Sequence, residues 1–158
     1  MSESFIQQYL KFTSDSEVPV CFNRWAAIAG MSIILERNVW IPFGHSNIYP
    51  NQYLMLMGSA GTRKSTAIKL IKHILIGAGY SAISAERTSK EKFLSDLAGD
   101  TDDAGTGNTD TILERNLFGD GAETGVHPMA IMADEANDFF GSGNLEFLSI
   151  LGSLWDWQ

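Results

Sequence analysis

Small residues, a lysine and a hydroxyl follow one another closely in Gly58-Ser59-Ala60-Gly61-Thr62-Arg63-Lys64-Ser65, with Thr66 next. Backbone amides in a run this small can curl around phosphate oxygens. A helix beginning near Lys64 turns its unpaired N–H groups and positive dipole end towards the same anion. Lys64 is then placed to reach β- and γ-phosphates, and the Ser65 hydroxyl to bind magnesium. The pattern G-x-x-x-x-G-K-[ST] is met everywhere except at its second glycine, which here is Arg63. Two placements of Arg63 are open: away from the ligand as a solvated charge, or into the phosphate pocket as an extra cation. The plain alternative for the whole loop is an ordinary strand–turn–helix joint.

A second feature supports the phosphate reading. Ala130-Ile131-Met132-Ala133 is an apolar run that ends in Asp134-Glu135. A Walker B strand ends this way, its aspartate beside the loop to hold magnesium, usually through water. Glu135, directly after it, is the first candidate for the base that orients the attacking water. Glu86, at the end of an apolar run over 80–85, is the second, because reactive groups in a parallel sheet gather at the carboxyl ends of strands. Each acid has a bland alternative, a strand end entering solvent for Asp134-Glu135 and a helix-opening acid for Glu86.

Other residues carry weaker signals. His45, His73 and His127 share no metal-ligand spacing. Asp100-Thr101-Asp102-Asp103-Ala104-Gly105 begins like a calcium loop but lacks the third acid and has Thr111 where glutamate is required. Arg87, Lys90 and Lys92 form a small basic group of the kind that is usually solvated. Cys21 is the single cysteine, so neither an internal disulfide nor a cysteine zinc site is available, and a reducing intracellular setting is the simplest expectation.

The elements that must position these residues follow from periodicity. Phe5, Ile6, Tyr9 and Leu10 predict an amphipathic helix over 3–13. A polar break at 13–17 with Pro19 follows, then a helix over 22–36 that is apolar nearly all round and is expected to be buried. Residues 39–43 read as a short strand with its turn at 44–47. The unbroken apolar run 53–57 predicts a strand covered on both faces. Helices are expected over 64–76, with Ile68, Ile71, Ile74 and Leu75 as the stripe and Gly77 and Gly79 as the stop, and over 89–97. Residues 80–85 and 129–133 read as further strands, and 99–125 as a Gly-, Asp- and Thr-rich loop. Residues 145–157 close on Trp155 and Trp157 as a helix face needing cover. Strand, helix, strand, helix, strand is the order of a parallel sheet, so the expected fold class is an α/β, three-layer α/β/α core with a mainly parallel sheet. Residues 1–50 form an N-terminal helical layer in this reading, and 51–158 the nucleotide-binding core.

The 158 residues are 44% hydrophobic and 19% charged, as in ordinary globular domains. A net charge of −8 argues against a surface that coats nucleic acid generally. The apolar stretch 25–35 lies between Arg24 and Glu36 and is too short to span a bilayer. Met1-Ser2-Glu3-Ser4 lacks the basic start of a signal peptide.

The loop form G-x-x-G-x-R-K-S at 58–65 resembles a group of phage and prophage P-loop ATPases of the primase/helicase type. Those proteins also begin with a helical segment like 18–36 and reach the loop through a stretch like Ile48-Tyr49-Pro50-Asn51. Ser84-Ala85-Glu86-Arg87-Thr88-Ser89-Lys90-Glu91 is similar to the point after the second strand in RecA-like hexameric helicases, where a catalytic glutamate stands. The resemblance covers about residues 18–158. It implies a cytoplasmic DNA-dependent ATPase using ATP and Mg2+ in phage or mobile-element replication, self-associating, with a ring as one arrangement. It also implies single-stranded DNA met through parts outside these residues. RecA-like helicases usually have no glutamate after the Walker B aspartate, and family members continue past the position of Gln158, so the core is expected to be incomplete. Adenine is assumed because no guanine-reading motif is visible. Other P-loop ATPases, for DNA packaging or protein remodelling, and a non-hydrolysing nucleotide-binding or assembly module are the alternatives.

Overall fold

Ser4 starts the first helix by a reciprocal arrangement. Its hydroxyl accepts from the Gln7 amide at 3.3 Å, and Gln7 Oε1 accepts from the Ser4 amide at 2.9 Å, so two end amides are satisfied at once. The computed structural model describes residues 3–84, 129–136, 140 and 145–155. Helix α1, Phe5–Phe12, turns Tyr9 inwards and ends at Thr13, whose hydroxyl donates to the Tyr9 carbonyl.

Helix α2, Val20–Leu35, follows Pro19. Its buried residues are Asn23, Ala26, Ala27 and Gly30, the i, i+3, i+4, i+7 set of a single face. The expectation of burial all round is corrected here: Trp25 is 49% exposed, and Val20, Ile34 and Leu35 also face solvent. Close approach is what the small residues provide. A Cβ on Gly30 would come within 2.5 Å of Ile71 Cδ1 on the next helix.

Ile41–Phe43 (β1) and Ser46–Ile48 (β2) form an antiparallel hairpin in which Ile41 faces Ile48 and Phe43 faces Ser46. Gly44, at φ 62°, makes the turn. Helix α3, Lys64–Gly77, buries Ala67, Ile71 and Leu75, and Ile71 and Leu75 share a cluster with Ala26 and Ala27 of α2. It stops at Ala78 and at Gly79, which takes a φ of 86°. Helix α4, Leu145–Trp155, buries Phe147 and Leu151.

The expected parallel three-layer α/β/α core is not what forms. Among the described residues there are four helices and one two-stranded antiparallel sheet. Residues 53–57 are not a strand, and Tyr53 and Met57 are 58% and 77% exposed. An apolar run becomes a sheet strand only when neighbouring strands take up its N–H and C=O groups, and 53–57 has no such neighbour among the described residues. The runs 80–85 and 129–133 meet at one parallel bridge, Ile83 to Ala130. Two bonds make it, Ser84 N–H to the Ala130 carbonyl and Ala130 N–H to the Ala82 carbonyl, both 2.9 Å. The expected helix over 89–97 and the loop over 99–125 lie outside the described residues.

The extended segment 129–133 still has two covered faces. Ala130 and Met132 belong to the cluster of Tyr9, Ala26, Ala27, Ile71 and Leu75, whereas Met129, Ile131 and Ala133 pack against Phe147 and Leu151. This alternation is the period of extended backbone, and it carries the chain to Asp134 beside α3. Among the described residues no helix is long and apolar enough to cross a membrane.

Candidate functional site

The loop before α3 is folded on itself by short-range bonds. The Thr62 hydroxyl donates to the Ser59 carbonyl at 2.8 Å. A Cβ on Gly58 would lie 2.8 Å from Thr62 Oγ1 and 3.4 Å from Phe22 Cζ, so the tight return needs glycine there. Gly61 takes a φ of 82°. Arg63, where the short motif has its second glycine, takes a φ of 59°, a left-handed conformation that costs a side-chain-bearing residue about 1 kcal/mol. The backbone therefore keeps the glycine-like bend although the residue is arginine.

The Arg63 side chain answers the open question about its direction. Its Nη2 lies 2.6 Å from Glu17 Oε2, and both side chains are mostly exposed. The cation is thus paired with the turn between α1 and α2. Glu17 had no sequence signal beyond its place in a polar break.

Lys64 bends back over the loop and donates to the carbonyls of Gly58 at 2.7 Å and Ser59 at 3.0 Å. Its ammonium therefore sits on the inside of the curl. Ser65 and Thr66 occupy the first turn, half-buried. No side chain caps this end and no acid stands in the first turn, so among the described residues the opening N–H groups and the positive end of the dipole have no capping side chain.

Asp134 reaches the same helix. Its Oδ2 is 3.3 Å from Lys69 Nζ, and Lys69 is four residues after Ser65, on one face of α3. Asp134 Oδ1 is buried without a hydrogen-bond partner. A bare, desolvated carboxylate oxygen costs about 1–3 kcal/mol unless something completes it. The donor set, a serine hydroxyl and one carboxylate, fits magnesium, which takes one or two protein ligands and fills the rest with phosphate oxygens and water. Among the described residues there is no group of three or more His, Cys, Asp or Glu side chains able to hold a metal by themselves.

Of the residues expected to do chemistry, Gly58, Ser59, Ala60, Gly61, Thr62, Arg63, Lys64, Ser65 and Thr66 form one continuous turn, and Asp134 meets the helix that follows it. Glu135 is exposed. Glu86, Arg87, Lys90, Lys92, His127 and the acidic run at 100–105 lie outside the described residues. His45 and His73 are exposed and separate. Lys69 was not anticipated, although its spacing from Ser65 was available as a signal. No protein-family model, curated protein or solved structure matches the chain.

Proposed function

We propose that this chain binds ATP with magnesium through residues 58–66 and Asp134, and hydrolyses it as part of a helicase-type motor in phage or mobile-element DNA replication. The observation that carries the nucleotide part is the Asp134 carboxylate, paired with Lys69 one helical turn beyond Ser65 on α3, with one buried oxygen unbonded. In this reading Lys64 exchanges its two carbonyl acceptors for β- and γ-phosphate oxygens, because a cation–anion hydrogen bond is stronger than one to a neutral carbonyl. The first amides of α3 take the remaining phosphate oxygens. Ser65 Oγ and Asp134 would hold magnesium, which when bound would draw off charge from the phosphate oxygens. Glu135 orients the attacking water, with Glu86 as the second candidate.

The motor class rests on the sequence resemblance at 58–65 and 84–91. With a net charge of −8, contacts to single-stranded DNA belong to parts other than these residues, and self-association is part of the same proposal. Titration with a fluorescent ATP analogue in magnesium tests the binding step. Wild type should saturate, and Lys64→Ala should lose at least about tenfold in affinity, the loss of one charge-assisted phosphate contact. Equal affinity in the two proteins would end the proposal. A second reading, nucleotide binding without turnover, is favoured by the exposure of Glu135. It predicts no phosphate release with or without single-stranded DNA, unchanged by Glu135→Gln or Glu86→Gln.

A further inference from the structure

Lys69 stands one helical turn beyond Ser65. Side chains on a helix lean towards its N-terminus, so the Lys69 ammonium is carried back towards the level of Ser65. The Lys69 ammonium lies 3.3 Å from Asp134 Oδ2, while Asp134 Oδ1 is buried and bonded to nothing. One oxygen of the carboxylate thus has a cation and the other has no partner at all.

We propose that Lys69 is an internal counter-ion that magnesium must displace from Asp134, so that it sets the magnesium concentration at which the site loads. The inference rests on the reading of residues 58–66 and Asp134 as the nucleotide and metal site. Its logic is competition for one carboxylate. An ammonium and a divalent cation repel each other at this range, and the doubly charged ion has the larger attraction to the same carboxylate. Lysine is suited to leave. Its ammonium is a strongly hydrated point charge on a flexible stem, and the Lys69 side chain is already 65% exposed against 26% for Asp134. Release returns it to water at little cost. In the nucleotide-free protein the pair ties Asp134 to α3 and tempers the charge of a half-buried carboxylate. A purely structural tie between α3 and the segment ending at Ala133 explains the ion pair but not the bare second oxygen.

The test is a magnesium titration at a fixed low concentration of a fluorescent ATP analogue, on wild type, Lys69→Met and Lys69→Arg. Lys69→Met is expected to reach half-saturation at about three- to fivefold less magnesium, the range of one partly exposed ion pair. Lys69→Arg, which keeps the cation, should follow wild type. In EDTA the three should bind the analogue alike, and thermal melts should give each a cooperative transition. A magnesium half-point unchanged or raised in Lys69→Met, with wild-type binding intact, overturns the counter-ion role alone. Wild type that binds no analogue at any magnesium concentration overturns the nucleotide site and this proposal with it.

Discussion

Three cations lie on or beside the start of α3, and each has found a different partner. Lys64 holds loop carbonyls, Arg63 holds Glu17, and Lys69 holds Asp134. Only Lys64 is directed into the curl of the loop, which is why its removal is expected to weaken binding by at least about tenfold while Arg63→Ala is expected to leave it nearly unchanged. Gly61 offers a separate test of the loop backbone. A Cβ there would meet nothing within 4 Å, so Gly61→Ala carries strain from its positive φ alone. Its cost should be about 1 kcal/mol by chemical denaturation, with weaker analogue binding because the curl opens.

At the scale of the elements, α1, α2 and α3 are held by a seam of small residues and one buried phenol. Gly30→Ala should cost about 1–3 kcal/mol by overpacking against Ile71, read as a drop in the denaturation midpoint. Tyr9 is 2% exposed and its hydroxyl is buried without a partner, and burial pushes its pKa up to about 12. The unfolded chain ionises this phenol near pH 10, so the stability it contributes is fully present below that and is lost as pH rises from about 10 towards 12. Tyr9→Phe should flatten that alkaline loss and raise stability at neutral pH by about 1 kcal/mol, because the orphaned hydroxyl is gone.

Helix α3 was legible in advance. Its apolar stripe at 68, 71, 74 and 75 has helical spacing, and Gly79 takes the left-handed stop expected of it. Helix α2 was legible in its limits but not in its burial, because periodicity counts apolar residues and the packed face is made of Ala26, Ala27 and Gly30. The run 53–57 misled for another reason. Apolar content specifies a preference for cover, whereas a sheet also requires partner strands at the correct register, and residue types do not reveal those. Tyr53 instead donates its hydroxyl to the Leu151 carbonyl and lies 5.1 Å from the ring of Trp155, fastening the segment to α4. The loop and Asp134 could be singled out because their spacing has a chemical reason, and their role is the proposal made above. Glu17 could not, and Lys69 only by its spacing from Ser65, since the partner of each depends on which distant segments pack together.

For the molecule as a whole, the proposed site joins one continuous turn to a residue from far along the chain. Ligand binding should therefore stabilise the fold globally. Saturating ATP with magnesium at about 100 times Kd should add about 2.7 kcal/mol to unfolding free energy, seen as a higher Tm in wild type and not in Asp134→Asn at matched concentrations. The most direct measurement is a crystal structure of the chain with magnesium and a non-hydrolysable ATP analogue. The expected result has Lys64 Nζ moved from the Gly58 and Ser59 carbonyls onto the phosphates, and magnesium between Ser65 Oγ and Asp134 with Lys69 released. A nucleotide bound elsewhere, or a loop still closed on Lys64 in saturating analogue, would contradict it.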